Sequence, residues 1–366
     1  MQMAFLRRNA DYETWLRTQC DVVDADLDKK HKRMAESPFA MLRATYFRYA
    51  AKVEKLLPDL ADAPHVLAVG DIHVENFGTW RDAEGRLIWG VNDFDEAAVM
   101  PYPFDLVRLC ASAGLSPDLG HHEHAADAIL AGYERGLAEP APMVLDADAS
   151  WLRPFVSPTE KTRADFAKDT KTLLDFDPPG DVKAGFAESF PEGAVIEGYA
   201  PRAKGGGSLG RPRFIAVATW RGGRIVREAK ALVPSAWDYA HKKEGWPPRF
   251  RELADGPFRA PDPFLDIRGR YLFRRIAPDS RKLDFGGEIP KRLQGLFLEA
   301  MGHDIGAIHA ASVQAEDIAA HLKARTEGWL RDGAMSLSAR VLKDFKAWQA
   351  ACKPEPAPPK VGKTKK

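Results

Sequence analysis

From Ser37 the apolar positions recur at helical spacing. Phe39, Leu42, Tyr46, Tyr49, Ala50 and Val53 fall on one face behind a Ser37-Pro38 start signal. The first sixty residues therefore read as helical, with Pro58 and Pro64 bracketing the exit. Short apolar runs follow at His65 to Val69 and Leu87 to Val91, each long enough for a strand. Between them lies the polar, loop-like segment Gly70 to Gly78 (GDIHVENFG), and the second run ends in Asn92-Asp93-Phe94-Asp95-Glu96. Helical spacing resumes from Pro103 to about Gly136, with Phe104, Leu106, Val107, Leu109 and Cys110 as its apolar positions. A mixed, proline-punctuated stretch leads to about Gly193.

The pattern then changes to alternation. Ala194 to Ala200 reads as a strand entering the turn Lys204-Gly205-Gly206-Gly207-Ser208-Leu209-Gly210. Phe214 to Trp220 and Arg224 to Val233 form a hairpin about Arg221-Gly222-Gly223, and Tyr271 to Ile276 is a further strand. Helices are expected at Lys291 to Ser312, Ile318 to Arg331 and Leu337 to Ala351. The Pro- and Lys-rich tail from Lys353 has the composition of a disordered segment. This organisation divides the chain into a mostly helical part (1–190), a β-rich part (191–285), C-terminal helices (286–352) and the tail (353–366).

Composition narrows the function classes. The 366 residues carry 53 Lys plus Arg against 52 Asp plus Glu, which argues against a general polyanion binder and hence a nucleic-acid partner. Three dispersed cysteines (Cys20, Cys110, Cys352) offer neither a disulfide framework nor a thiolate zinc site. No stretch approaches the ~20 apolar residues of a membrane span, and the N-terminus lacks a signal-peptide core. A soluble cytoplasmic protein without membrane contact is expected.

The candidate chemistry sits at the ends of the two short strands. Asp71 and Asn76 lie five apart on one loop, and Asp93 closes the next strand 22 residues after Asp71. Phosphoryl transfer asks for a carboxylate to take the proton of the attacking hydroxyl. It also asks for an amide and a second carboxylate to hold the metal that bridges the phosphates. Asp71 fits the base, Asn76 and Asp93 fit magnesium ligands, and Asp95 fits a supporting or second-metal ligand. Asp105 reads as a structural brace of the loop, His73 as a loop-bracing residue and His309 as a packing residue. Turn formation alone would account for Asp71 and Asn76, but not for the acidic run in NDFDE.

At these residues the sequence resembles a known family. GDIHVENFG and NDFDEAAVMPYPFDLVRL look like the DUF2252 family of uncharacterised bacterial proteins, as do SPFAMLRATYFRYA, KGGGSLGRPRF and GHDIGAIHAAS. The same two motifs resemble the GDLHPGN…IDFD…DLA signature of aminoglycoside phosphotransferases and other small-molecule kinases. That resemblance implies an α+β, protein kinase-like two-lobe fold with ATP and Mg2+ as cofactors. Gly205, Gly206, Gly207, Ser208 and Gly210 would then form the nucleotide-clamping loop, and Lys230 would meet the α- and β-phosphates, with Lys204 as a competing candidate. Glu244 and Glu252 are the candidates to pair with that lysine. Arg274 and Arg275, with Lys282, suit either anion binding or a strand edge, the structural role being favoured.

The order of the parts is unusual. In kinase-like enzymes the Gly-rich loop and lysine precede the catalytic loop, whereas here they follow it, and the LAxLHA-like segment Ile305 to Ser312 comes later still. A circular permutation restores the usual order. The resulting expectation is an ATP- and Mg-dependent phosphotransferase acting on a hydroxyl of a small molecule or protein. Competing expectations are AMP transfer, a nucleotide-sensing pseudokinase, or a metal-dependent phosphohydrolase using Asp71, His73, Asn92 and Asp93.

Overall fold

The computed structural model describes residues 2–117, 119, 122–147, 149–170, 175–203, 205–280, 290–312 and 315–352. Lys204, Lys282 and the tail from Lys353 lie outside the described residues. The architecture is mixed α+β, with small antiparallel sheets among helices.

Helices Gln2–Gln19 and Asp24–Met34 lead into a run of short ones. The Ser37 Oγ accepts from the Ala40 amide at 3.1 Å, and Pro38 occupies the first turn, where its missing N–H costs nothing. Phe39, Leu42, Tyr46, Tyr49, Ala50 and Val53 are all buried, as their spacing requires. They do not share one helix. The backbone leaves helical geometry at Thr45 (φ −124°), dividing the segment into Pro38–Ala44, Tyr46–Ala50 and Val53–Leu56.

Four strands then carry the polar motifs: β1 (His65–Ala68), β2 (Phe77–Arg81), β3 (Leu87–Val91) and β4 (Ala98–Pro101). β2 pairs antiparallel with β3, β1 pairs antiparallel with β4, and β5 (Met143–Val144) adds to the far side of β3. The loop from Val69 to Asn76 thus joins β1 to β2, and NDFDE joins β3 to β4. β2 begins inside the segment expected to be loop, at Phe77 and Gly78. Phe77 is fully buried and stacks on Trp89 of β3, so packing extends the strand where polarity suggested a turn.

Below these strands, helix Pro103–Leu115 packs against Trp329–Cys352, and His122–Ala138 packs against Lys291–Ala310. The second pair approaches backbone to backbone. A Cβ on Gly132 or Gly136 would lie within 2.1 Å of a carbonyl oxygen of the partner helix, and one on Gly302 or Gly306 within 2.4 Å. The C-terminal region breaks earlier than its sequence pattern suggests. Helix Ala315–Lys323 ends before Gly328 (φ +76°), and one continuous helix then covers 329–352.

The second sheet holds β6 (Val195–Pro201), β7 (Arg213–Trp220), β8 (Gly223–Ala231), β9 (Asp266–Arg268) and β10 (Tyr271–Ile276). Its order is β6-β7-β8-β10-β9, antiparallel throughout. The β7–β8 hairpin turns through Arg221 (φ 47°) and Gly222 (φ 81°), the two left-handed positions that match the twist of a two-residue hairpin. One face of the sheet packs on helix Gly180–Ser189 through Phe186 and Phe273.

Candidate functional site

The β6–β7 connection brings the glycine-rich segment against the motif loops. Among the described residues, Gly205, Gly206, Gly207 and Ser208 line a cavity of about 660 Å³ together with Asp71, Asn76, Asp93, Asp95 and Lys230. Gly207 lies closest to the candidate base: a Cβ there would sit 2.8 Å from the Arg43 carbonyl oxygen and 3.1 Å from Asp71 Oδ2. Gly210 points elsewhere. Its φ of +97° turns the chain toward the N-terminal helices, where its carbonyl accepts from the Val23 amide at 2.9 Å and its Cα faces Leu27.

A buried lattice of ion pairs ties the second sheet to the NDFDE turn. Lys230, 1% exposed on β8, donates to both Asp93 oxygens at 3.0 Å and pairs with Asp95. Arg211 contacts Asp95 at 3.4 Å and Glu96 at 2.6 Å, and Glu96 also accepts from the Ala236 amide at 2.5 Å. Burial, with the neighbouring Asp93 charge, pushes the Asp95 carboxyl up to about 6 against the pull of Lys230 and Arg211. Burial likewise raises Glu96, with Arg211 opposing. Glu244 and Glu252 do not reach Lys230; both are exposed, and Glu252 pairs with Arg249 at 2.7 Å. The carboxylates of NDFDE are the lysine's partners instead.

Asp71 is held by Arg108, which donates from Nε at 3.2 Å and also from Nη2. Arg108 itself is fixed by the Leu42 carbonyl at 2.9 Å and by the rings of Tyr46 and Tyr49. Burial pushes the Asp71 carboxyl above its ordinary value; Arg108 opposes this and Asp93 adds to it. Asn76 spends its Nδ2 on the backbone carbonyls of Asp93 (3.1 Å) and Asp71 (3.4 Å), stitching the two motif loops together.

The loop's backbone is pinned from the following helix. Asp105 accepts from the amides of Val69 (2.7 Å) and Gly70 (2.9 Å), and His309 meets it at 3.3 Å while also bonding Tyr133 at 3.0 Å. Ser112 accepts from the Val74 amide at 3.0 Å. Asp105 is thus the brace its position suggested, and His309 is a wholly buried packing residue joined to it. His73 is buried with its ring edge-on to Phe39.

Also in the cavity lining, Glu228 is 0% exposed and takes hydrogen bonds from Arg202 (2.7 Å) and Arg274 (2.8 Å), with Arg213 at 3.6 Å. Burial raises this carboxyl, but the three guanidinium groups outweigh it and hold it far below its ordinary range. Arg274 therefore has a structural partner. Arg275 pairs with Asp262 and donates to the Arg81 carbonyl.

Arg43, Arg108, Arg211 and Lys30 belong to the site; the first three lie in the segments that carry the family resemblance, but no spacing gave any of the four a role. They are single basic residues in ordinary helical or loop contexts, and only the fold brings them to the acidic motifs. Glu96 and the NDFDE context could have pointed to a buried arginine, since so dense an acidic turn needs compensating charge.

Residues 23–153 match the profile of a family described as "Uncharacterized protein conserved in bacteria (DUF2252)". The match spans both motif loops. Neither the curated proteins nor the solved structures gave a match. Among the described residues, no helix is long and apolar enough to cross a membrane.

Proposed function

We propose that this protein is an ATP- and magnesium-dependent phosphotransferase of circularly permuted kinase-like build, acting on a hydroxyl group. The observation that carries the reading is convergence. Asp71, Asn76, Asp93, Asp95, the 205–208 glycine segment and Lys230 arise from positions up to 159 residues apart and line one cavity. A glycine segment between two strands, with a lysine on the next, is the nucleotide clamp that the resemblance implies.

The residues suit their proposed roles chemically. Backbone amides near Gly206 and Gly207 can approach phosphate oxygens because no side chain intervenes. Magnesium takes one or two carboxylates and completes its shell with water and substrate phosphate. Among the described residues no group of three or more His, Cys, Asp or Glu side chains is arranged to hold a metal ion, but Asp95 Oδ1 and Asn92 Oδ1 are buried without hydrogen-bond partners. Asn76, Asp93 and Asp95 would hold the ion, which would neutralise charge on the phosphates. Asp71, oriented by Arg108, would take the hydroxyl proton as the acceptor oxygen bonds to the γ-phosphorus. The bond from that phosphorus to the β–γ bridging oxygen breaks, and ADP departs.

The test is label transfer. With Mg2+ and the small-molecule fraction of a bacterial extract, γ-labelled ATP is expected to yield a labelled product. Asp71→Asn is expected to lower the rate by about 10²- to 10⁴-fold, the usual contribution of a general base. Transfer of the α-label would mean AMP transfer instead. ATP binding without consumption would mean a nucleotide sensor.

A further inference from the structure

Part of the cavity wall is built by the N-terminal helices, and the residues they contribute include three cations. Lys30 and Arg33 come from helix Asp24–Met34, and Arg43 from Pro38–Ala44; all three line the cavity. The carboxylates near them are themselves engaged: Glu75 pairs with Arg43, and Glu13 of the first helix pairs with His31 at 2.6 Å. Arg33 donates to the Gly205 carbonyl at 2.5 Å, so it is committed to the glycine segment.

Lys30 is different. It is 4% exposed and lines the cavity, and it makes no hydrogen bond or ion pair to any other described residue. Its Nζ is not among the fully buried polar atoms, so the ammonium keeps an opening, and a charged group so confined and without a protein partner favours a counter-charge supplied from the cavity. Its charge neighbours are Arg211, Glu13, Asp71 and Glu96, which sets it at the Asp71 end of the cavity. Burial, with Arg211, lowers its pKa to about 8, so most of it stays charged at neutral pH.

We propose that Lys30 binds a compact anionic group, a carboxylate or a phosphate, carried by the hydroxylated small molecule that accepts the phosphoryl group. The substrate class is thereby narrowed to hydroxy acids and phosphorylated polyols. The inference rests on the phosphotransferase reading, because Asp71 marks the position of the acceptor hydroxyl. Lys230 and the glycine segment already serve the nucleotide. A cation on the N-terminal helices, with Asp71 among its charge neighbours, is placed to meet the far end of an acceptor.

The experiment titrates inorganic phosphate into the protein saturated with Mg2+ and a non-hydrolysable ATP analogue, following the melting temperature. Wild type is expected to gain stability with phosphate. Lys30→Gln is expected to bind phosphate about tenfold more weakly, losing one charge-assisted contact, while its response to the analogue is unchanged. Lys30→Arg is expected to keep the phosphate response. Neither variant loses a partner on folding, so both should melt near wild type without ligand. An equal phosphate response in wild type and Lys30→Gln, or none in wild type, overturns the proposal. If the analogue itself gives no shift, the phosphotransferase reading fails. The same phosphate titration on the protein alone then still decides whether Lys30 is an anion site. With phosphate, malonate and glycerate as parallel titrants, the strongest response assigns the group as phosphate or carboxylate.

Discussion

At Gly207 the backbone has no room for a side chain. A methyl there meets the Arg43 carbonyl at 2.8 Å and the Asp71 carboxylate at 3.1 Å, whereas at Gly206 it meets only the flexible end of Arg43, at 3.2 Å. Gly207→Ala is therefore expected to displace the loop from Asp71 and reduce turnover on the order of 10²-fold, the cost of a misplacement near 1 Å. Gly206→Ala should stay within a few-fold of wild type. Steady-state kinetics on the two variants checks the contrast, and equal losses would contradict the close approach of Gly207. At this scale the sequence was informative where chemistry demands a residue type in a pattern. Asp71, Asn76, Asp93 and Asp95 stood out because carboxylates and an amide at fixed spacing have few structural uses together. Arg108 and Arg211 did not, because a lone arginine has the same appearance on a solvated helix as against a buried aspartate.

Among elements, the second sheet depends most on a single buried charge. Glu228 on β8 neutralises Arg202 just past β6, Arg213 of β7 and Arg274 of β10, so removing it leaves three guanidinium groups uncompensated. Glu228→Gln is expected to cost about 3–5 kcal/mol at neutral pH, the usual penalty for breaking a buried pair. The pH dependence has a definite sign. The folded-state pKa lies far below its ordinary 4.5, so the stabilisation is present above that value and is lost as pH falls below it. The variant should show a shallower acid limb in its stability–pH profile, measured by urea unfolding between neutral pH and acid. An acid limb as steep as wild type would contradict the assignment. The hairpin and its flanking strands were legible because alternation and a Gly-Gly turn coincide in one segment. β4 and β9 were not, since three- and four-residue strands hold too few positions for a period to register. β2 was hidden by its polar approach through Glu75 and Asn76. The close crossing of helices 122–138 and 291–310 was also invisible, because its four glycines become a contact surface only once the helices meet.

Over the whole molecule, the acidic motif loops and the cationic five-stranded sheet come from segments 115 to 137 residues apart at their contacts and meet in one cavity. Buried pairs from Lys230 and Arg211 form the joint between them. Overall charge balance concealed this, because equal totals say nothing of where each sign lies. The family resemblance supplied the expectation that a glycine segment and a lysine so far downstream belong with Asp71. The same joint makes the proposed nucleotide site testable as a unit, since anything binding only the folded protein raises its melting temperature. The most direct measurement is a thermal-shift titration with ATP, with and without Mg2+, on wild type and Asp93→Ala. A magnesium-dependent rise in wild type that disappears in Asp93→Ala is the predicted result. No rise at millimolar ATP, or an equal rise in the variant, would contradict a magnesium–nucleotide site at Asp93.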